Sequence, residues 1–271
     1  MNTDNILRTD FLKVMTPEFI ASMLTMLIIC IFCFVVYFKG KKYKPLDKPK
    51  GIVSVSEVIV SYADDQVKDM MGPVYGNFGG YIIALAAYIF VGFMVGMIGI
   101  PNFIYLGEDS LMNSSHLFAA LPNPFTNLGF PLLIGFITLV MIQVNAIKYT
   151  HFKYLLRFVE PIPIVGIFTL WVPMISLSLR LFGNAFAGFC LSTLVYGALG
   201  NTGWGLILAP AVMPFFHAYF DVFSGFIQTL VFVMISMMDI AQEGPEMEEQ
   251  MKMINAVSLK TTIADQALVK D

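Results

Sequence analysis

Charge is scarce in this sequence. Asp, Glu, Lys and Arg together make up 13% of its 271 residues, where a soluble domain carries about a quarter. With 57% hydrophobic residues and a mean hydropathy of +0.75, that deficit excludes an ordinary water-soluble domain and favours a membrane protein. A net charge of −3 and the lack of a basic stripe with interleaved aromatics exclude a nucleic-acid partner. No G-x-x-x-x-G-K-[ST] phosphate loop occurs, so the chain has no such nucleotide site. Neither G-x-S-x-G nor H-E-x-x-H occurs, which excludes those routes to an intramembrane protease. No internal repeat is visible, and a secondary transporter with paired halves would show one. Only three Cys are present, Cys30, Cys33 and Cys190, all in apolar segments. Cys30-x-x-Cys33 has a redox or zinc-like spacing, but a single half-site in an apolar run reads as packing. No metal or cofactor site is expected.

What is abundant is long apolar runs. Residues 19–38 are long enough to cross the roughly 30 Å hydrocarbon core as a helix. A cleavable signal is not expected, because Asp10 and Glu18 precede the run and no basic n-region is present. The six Lys of residues 39–50 make the following loop cytoplasmic by the positive-inside rule, and residues 1–18 an outer N-terminal segment. Residues 51–71 alternate Val53, Val60, Val67 and Met71 with Asp64, Asp65 and Lys68. They read as an amphipathic helix at the cytoplasmic interface, or as a soluble linker helix. Further spans are expected at 79–98 and 128–147. The loop 99–127 between them holds Glu108 and Asp109 but no Lys or Arg, which suits the outside.

From Ile164 to Phe220 the sequence has one charged side chain, Arg180, and one other group that titrates near neutral pH, His217. Gly200-Asn-Thr-Gly203 divides the region into segments 164–199 and 204–240. As helices these would be on the order of 50 Å long, which implies strong tilt; Pro173, Pro210 and Pro214 are candidate kinks. Residues 241–271 read as a solvated cytoplasmic tail. The expected fold is therefore an all-α integral membrane protein, a single membrane domain of about five transmembrane helices plus the interfacial helix. The last two helices form a long tilted hairpin.

Arg180 lies roughly 15 residues from either end of its run, roughly 20 Å of helix, beyond the reach of a snorkelling side chain if the helix stands upright. An arginine at a helix centre costs at least ~2.5–3.5 kcal/mol on insertion. No acid lies between Glu160 and Asp221, so its partner is either Asp221 across the hairpin or an acid of another subunit. Positions 180, 183, 184, 187 and 188 share one side and hold Arg, Gly, Asn, Ala and Gly. Small side chains of this kind admit a neighbouring helix, from this chain or another. Leu179, Phe182, Phe186 and Phe189 form a bulky opposite face. On the last span Asp221, Ser224, Gly225 and Gln228 share one side, with His217 one turn earlier. Gln228 reads as an uncharged donor and acceptor at depth, or as a simple interhelical hydrogen bond. Asp239 reads as interfacial.

Ser176-Leu-Ser-Leu-Arg180-Leu-Phe-Gly-Asn184-Ala-Phe-Ala-Gly188 closely resembles the signature of subunit a of F-type ATP synthases. Phe220-Asp221, followed by Phe223-Ser-Gly-Phe-Ile-Gln228-Thr-Leu-Val-Phe232, resembles its later motif. Weaker likeness extends through Val67-Lys-Asp-Met70 and Pro124-Phe-Thr-Asn127. The resemblance implies a plasma-membrane stator subunit with a cytoplasmic C-terminus. It would face the carboxylates of a rotating c-subunit ring, contact the b subunits of the peripheral stalk, and conduct protons through two offset half-channels. It implies that Arg180 is the essential ion-path arginine, that Asn184 and Gln228 are the polar residues beside it, and that Ser176 lies on the cytoplasmic approach. Many members carry Glu where this chain has Phe189. Asp221 and His217 are then expected to serve the outer half-channel. The chain would be no enzyme by itself.

Overall fold

The computed structural model describes residues 16–43, 50–97, 99–101, 118–120, 122–150, 163–200 and 205–268. The expected Gly-Asn-Thr-Gly turn and the outer N-terminal segment fall almost entirely outside them. The described chain is helical apart from one small ladder, so the fold is that of an all-α membrane protein. Its helices are α1 (Pro17–Gly40), α2 (Ile52–Met71), α3 (Gly79–Val95), α4 (Gly129–Thr150), α5 (Pro163–Gly200), α6 (Gly205–His217), α7 (Gly225–Gln242) and α8 (Met247–Leu268). Short 3-10 turns cover Pro73–Phe78 and Pro124–Thr126, and a π-helical turn, Ala218–Ser224, links α6 to α7. The ladder pairs β1 (Gly99–Pro101) antiparallel with β2 (Phe118–Ala120), Ile100 opposite Ala119. Four stretches are long and apolar enough to span a bilayer: Pro17–Gly40, Gly129–Tyr149, Trp171–Val195 and Ala211–Gln242. Gly79–Val95 is a shorter apolar helix at the lower limit of spanning length.

Local sequence explains several boundaries. Thr16 caps α1 by accepting from the Phe19 amide, ahead of Pro17 at the first helical position. Gly72 ends α2 at φ 101, a conformation that L side chains rarely adopt. Asn123 accepts from the Phe125 amide through its side chain and starts the second 3-10 turn. Pro210 and Pro214 lie inside α6, and the π turn begins four residues after Pro214. A proline deprives the preceding turn of a backbone donor, which is one recognised origin of such irregularity. Most of the residues after 241 form α8, which is exposed at 247–249 and 251–256 and buried at Gln250.

The chain divides into two compact units. The first comprises Met1–Lys42, Leu85–Gly135 and Ile175–Phe232. Within it, Ala21 and Val95 are fully buried with Leu24, Ile28 and Val91 around them. Ser22 and Tyr88 share a 2.7 Å hydrogen bond. Phe93 and Phe125 pack at 5.3 Å between ring centroids, and Phe90 meets Phe226 edge-on. The Ser178 hydroxyl donates to the Pro131 carbonyl at 2.9 Å, an oxygen whose second lone pair can accept alongside its own helical bond. Most of α1 turns apolar side chains outward, including Met26, Ile31 and Phe34. Such a surface is stable only in an apolar solvent, here the bilayer. Cys30 and Cys33 are free thiols on that exposed side; i and i+3 share a helix side, and this side is the outer one.

The second unit comprises Tyr43–Ala84, Phe136–Met174 and Val233–Asp271. It is held by buried amides. Asn145, 2% exposed, donates to the Tyr75 hydroxyl at 3.1 Å and to the Ile240 carbonyl at 2.9 Å. Gln250 on α8, 3% exposed, donates to the carbonyls of Met71 and Pro245 and accepts from the Val74 amide. Burial pushes the Tyr75 phenol above its ordinary pKa, against the lowering effect of the Asn145 bond. Tyr75 is thus a neutral hydroxyl at any physiological pH. On α2, Val67 and Met71 are buried while Val55, Val58, Ile59 and Tyr62 are exposed. This leaves an apolar stripe at helical spacing on its outer side.

Replacing Asn145 with Ala removes both of its bonds. Interhelical hydrogen bonds inside membranes average well under a kcal/mol each, and a stranded buried partner adds its own desolvation cost. A loss of about 1–2 kcal/mol is expected. It would be read as a lower unfolding midpoint in detergent, with Asn145→Gln retaining part of the loss-free value.

Candidate ion-path site

The site is built on α5 from Ile175 onward and on the π turn with the start of α7, residues that lie within the first unit. Along α5 the buried positions are Leu177, Ser178, Leu181, Ala185 and Gly188, a stripe at three- and four-residue spacing. Arg180 falls off that stripe and is exposed, with Ser176, Gly183 and Ala187 exposed on the same side. Among the described residues Arg180 makes neither an ion pair nor a hydrogen bond; the ion pairs there are His217–Asp221 and Glu248–Lys252. A guanidinium in the middle of an apolar span, on the outer surface, is thus a charge with no carboxylate partner among the described residues.

The small residues divide between two surfaces. A Cβ at Gly183 would meet nothing within 4 Å, whereas one at Gly188 would lie 3.1 Å from the Phe220 Cβ. Gly188 therefore serves packing inside the chain, and Gly183 with Ala187 leaves the outer surface smooth beside Arg180. The side carrying Leu179, Phe186 and Phe189 is exposed too, so it is not the packing face of the helix. These are apolar rings and branches suited to lipid.

Two contacts fix the register of the hairpin. Ser224 Oγ donates to Asn184 Oδ1 at 2.6 Å, and Gly188 lies against Phe220. Each step of four residues up α5 is matched by four down the partner segment, so the two run antiparallel. One turn further, the same register brings position 228 level with position 180. Gln228 is half-buried and has no hydrogen bond of its own among the described residues. Asp221 lies level with position 187, seven residues and roughly 10 Å along the helix from Arg180. It is bonded instead to His217 Nδ1 through Oδ2 at 2.6 Å. This corrects the option that Asp221 is the partner of Arg180 across the hairpin: the register holds it two turns away, and the histidine occupies one of its oxygens.

Each residue expected from sequence thus has a defined place. Asn184, Asp221 and His217 are brought into hydrogen-bonded pairs, Arg180 and Gln228 are levelled across the hairpin, and Ser176 is exposed one turn before the arginine. Ser224 as the partner of Asn184 was not singled out by sequence. Its signal was present, since Ser224 shares a helical side with Asp221 and Gln228, but a serine at depth more often bonds its own helix backbone, as Thr229 does here to Gly225. Asp239 is half-buried, with one carboxylate oxygen enclosed and unpartnered among the described residues. Among the described residues no cluster of three or more His, Cys, Asp or Glu could hold a metal ion.

Comparison with known proteins places this sequence beside a known family. A family model described as ATP synthase A chain aligns with residues 19–240. The chain is similar to ATP synthase subunit a of Mycoplasmoides gallisepticum, 25% identical over 245 residues that cover 80% of this chain and 75% of that one. It is similar to ATP synthase subunit a of Enterococcus hirae, 28% identical over 224 residues, covering 79% and 87%. A third relative, from Propionigenium modestum, is named ATP synthase subunit a, sodium ion specific; it is 27% identical over 189 residues, covering 68% of this chain and 60% of that one. Since the match to the family model takes in α1 through α7 and every residue of the site, the chain belongs to the ATP synthase A chain family.

Proposed function

We propose that this chain is the proton-conducting stator subunit of an F-type ATP synthase membrane sector, set in the cell membrane with its N-terminus outside and its C-terminus cytoplasmic. The observation that carries the reading is Arg180, a mid-span cation on the outer surface of α5 with no acid paired to it among the described residues. The partner it awaits is a buried carboxylate on each subunit of a c ring, with the b subunits of a peripheral stalk holding this chain still. Arginine stays protonated at any ordinary pH, so Arg180 cannot relay protons. Its role is electrostatic. A fixed cation beside a carboxyl group favours the ionised form. A ring carboxyl arriving protonated from lipid therefore gives its proton to a cytoplasmic half-channel, passes Arg180 as an anion, and is reprotonated from the outer one. The same cation repels hydronium and separates the two half-channels.

Asp221 and His217 serve the outer half-channel, where Phe189 offers no acid. Asn184 and Gln228 flank the arginine as uncharged hydrogen-bonding groups, and Ser176 lies on the cytoplasmic approach. Each charge crossing 100 mV is worth ~2.3 kcal/mol, so many crossings per turn of the ring are summed to drive ATP synthesis on other subunits.

Gly183 offers a test on the surface itself. Gly183→Leu meets open space within the chain, so insertion and stability should be retained. In vesicles containing the assembled complex, ATP-driven proton pumping should fall at least about tenfold, because a bulky side chain beside Arg180 holds the ring off. Undiminished pumping would place the ring elsewhere.

A further inference from the structure

We propose that Ser224 is a positioning residue for the ion path, fixing the Asn184 carboxamide so that its amide nitrogen holds a water molecule between the two helices. The proposal rests on the ion-path reading given above. Ser224 Oγ donates to Asn184 Oδ1 at 2.6 Å, which holds one end of the carboxamide against the partner segment. Asn184 Nδ2 is thereby turned into the interior, where it is enclosed and has no partner among the described residues. A buried donor left bare costs free energy comparable to a lost hydrogen bond. The occupant that relieves it must be a small acceptor. An ordered water fits, provided other polar groups share it. Ser224 supplies one, and Gln228 follows it by one turn along the side of the partner segment that Ser224 turns towards Asn184.

The pairing also depends on the π turn. Ser224 is its last residue and Asp221 its middle one. The turn therefore carries both the Asn184 tie and the His217–Asp221 pair. A hydrated Asn184 one turn from Arg180 would lie where a proton has to pass between water and a ring carboxyl. Ser224 contributes no proton to the path; it acts through Asn184.

The test is a double-mutant cycle in vesicles containing the assembled complex, reading ATP-driven proton pumping and the amount of assembled subunit. Ser224→Ala should lower pumping about three- to tenfold, the worth of one hydrogen bond. In an Asn184→Ala background the same change should lower it less than about twofold, because the residue it positions is gone. Ser224→Thr, which keeps the hydroxyl, should restore pumping. Ser224→Cys, which keeps the size but donates weakly, should resemble alanine. Full pumping by Ser224→Ala or Ser224→Cys overturns the proposal. So does an equal loss in the presence and absence of Asn184, which would mark Ser224 as a packing residue. Arg180→Ala in the same vesicles separates the two levels: if that variant pumps normally, the ion-path reading itself has failed.

Discussion

Arg180→Ala is expected to insert and assemble yet lose ATP-driven proton pumping by at least about a hundredfold. That is the scale on which removing one preorganised charge-stabilising group acts. Two opposite effects make the result diagnostic. For the chain alone the substitution is favourable, because it removes a charge that costs at least ~2.5–3.5 kcal/mol at the centre of a span. It also strands nothing, since no acid among the described residues is paired with Arg180. Subunit abundance and thermal midpoint in detergent should therefore stay level or rise. In the complex, the passing carboxylate loses the cation that keeps it ionised, and the half-channels lose their separator. Arg180→Lys keeps a charge but replaces a planar fork with a compact ammonium on a different stem, one that deprotonates more readily in an apolar site. It should remain strongly impaired. A scaffold would tolerate all of these changes. Normal pumping by Arg180→Ala would leave this chain in its family but remove the arginine from the mechanism.

The second large effect is structural. Gly225→Val should lower stability by about 1–3 kcal/mol or prevent assembly. A Cβ at Gly225 would fall 2.8 Å from both Cβ and Cγ of Phe93. Phe93 is 1% exposed and fixed against Phe125, so it has nowhere to go. Gly225 opens α7, three residues before Gln228 and directly after Ser224. Pushing it off α3 would also disturb the register that levels Gln228 with Arg180. Gly80→Ala is the control. A Cβ there meets nothing within 4 Å, and replacing a helical glycine with alanine is worth roughly 0.5–1 kcal/mol in the opposite direction. Thermal midpoints in detergent should move down for Gly225→Val and up for Gly80→Ala. Equal midpoints would mean that the α3–α7 contact is not a close one.

Much of the site was legible in the sequence because the bilayer makes polar residues conspicuous. Arg180, Asn184, Asp221 and Gln228 interrupt apolar runs, and a helix repeat of 3.6 residues assigns each to a side without further information. Which of two uses each side has was not legible. The small residues at 183, 187 and 188 have the same signature, yet Gly188 is closed by Phe220 and Gly183 is open. Cys30 and Cys33 look like any buried small residues, yet they face outward. Asn145 and Gln250 carry no such signal in the sequence, although they hold the second unit together. Near a helix end or in a charged segment a lone amide carries little signal until its distant partners, Tyr75, Ile240 and Met71, are known.

Composition and periodicity by themselves determined that this chain lives in a bilayer, that it is helical, and that one permanent cation sits in an uncharged stretch of 164–220. These follow from solvent and local geometry: hydrocarbon requires each backbone group to be bonded within its own segment. Only the tertiary structure decided what that cation does not have. The pairing of position 184 with 224, and of 188 with 220, holds Asp221 two turns from Arg180 and beside His217. Such a register is set by contacts between residues some thirty to forty apart, each worth under about a kcal/mol, and no pattern along the chain encodes that sum.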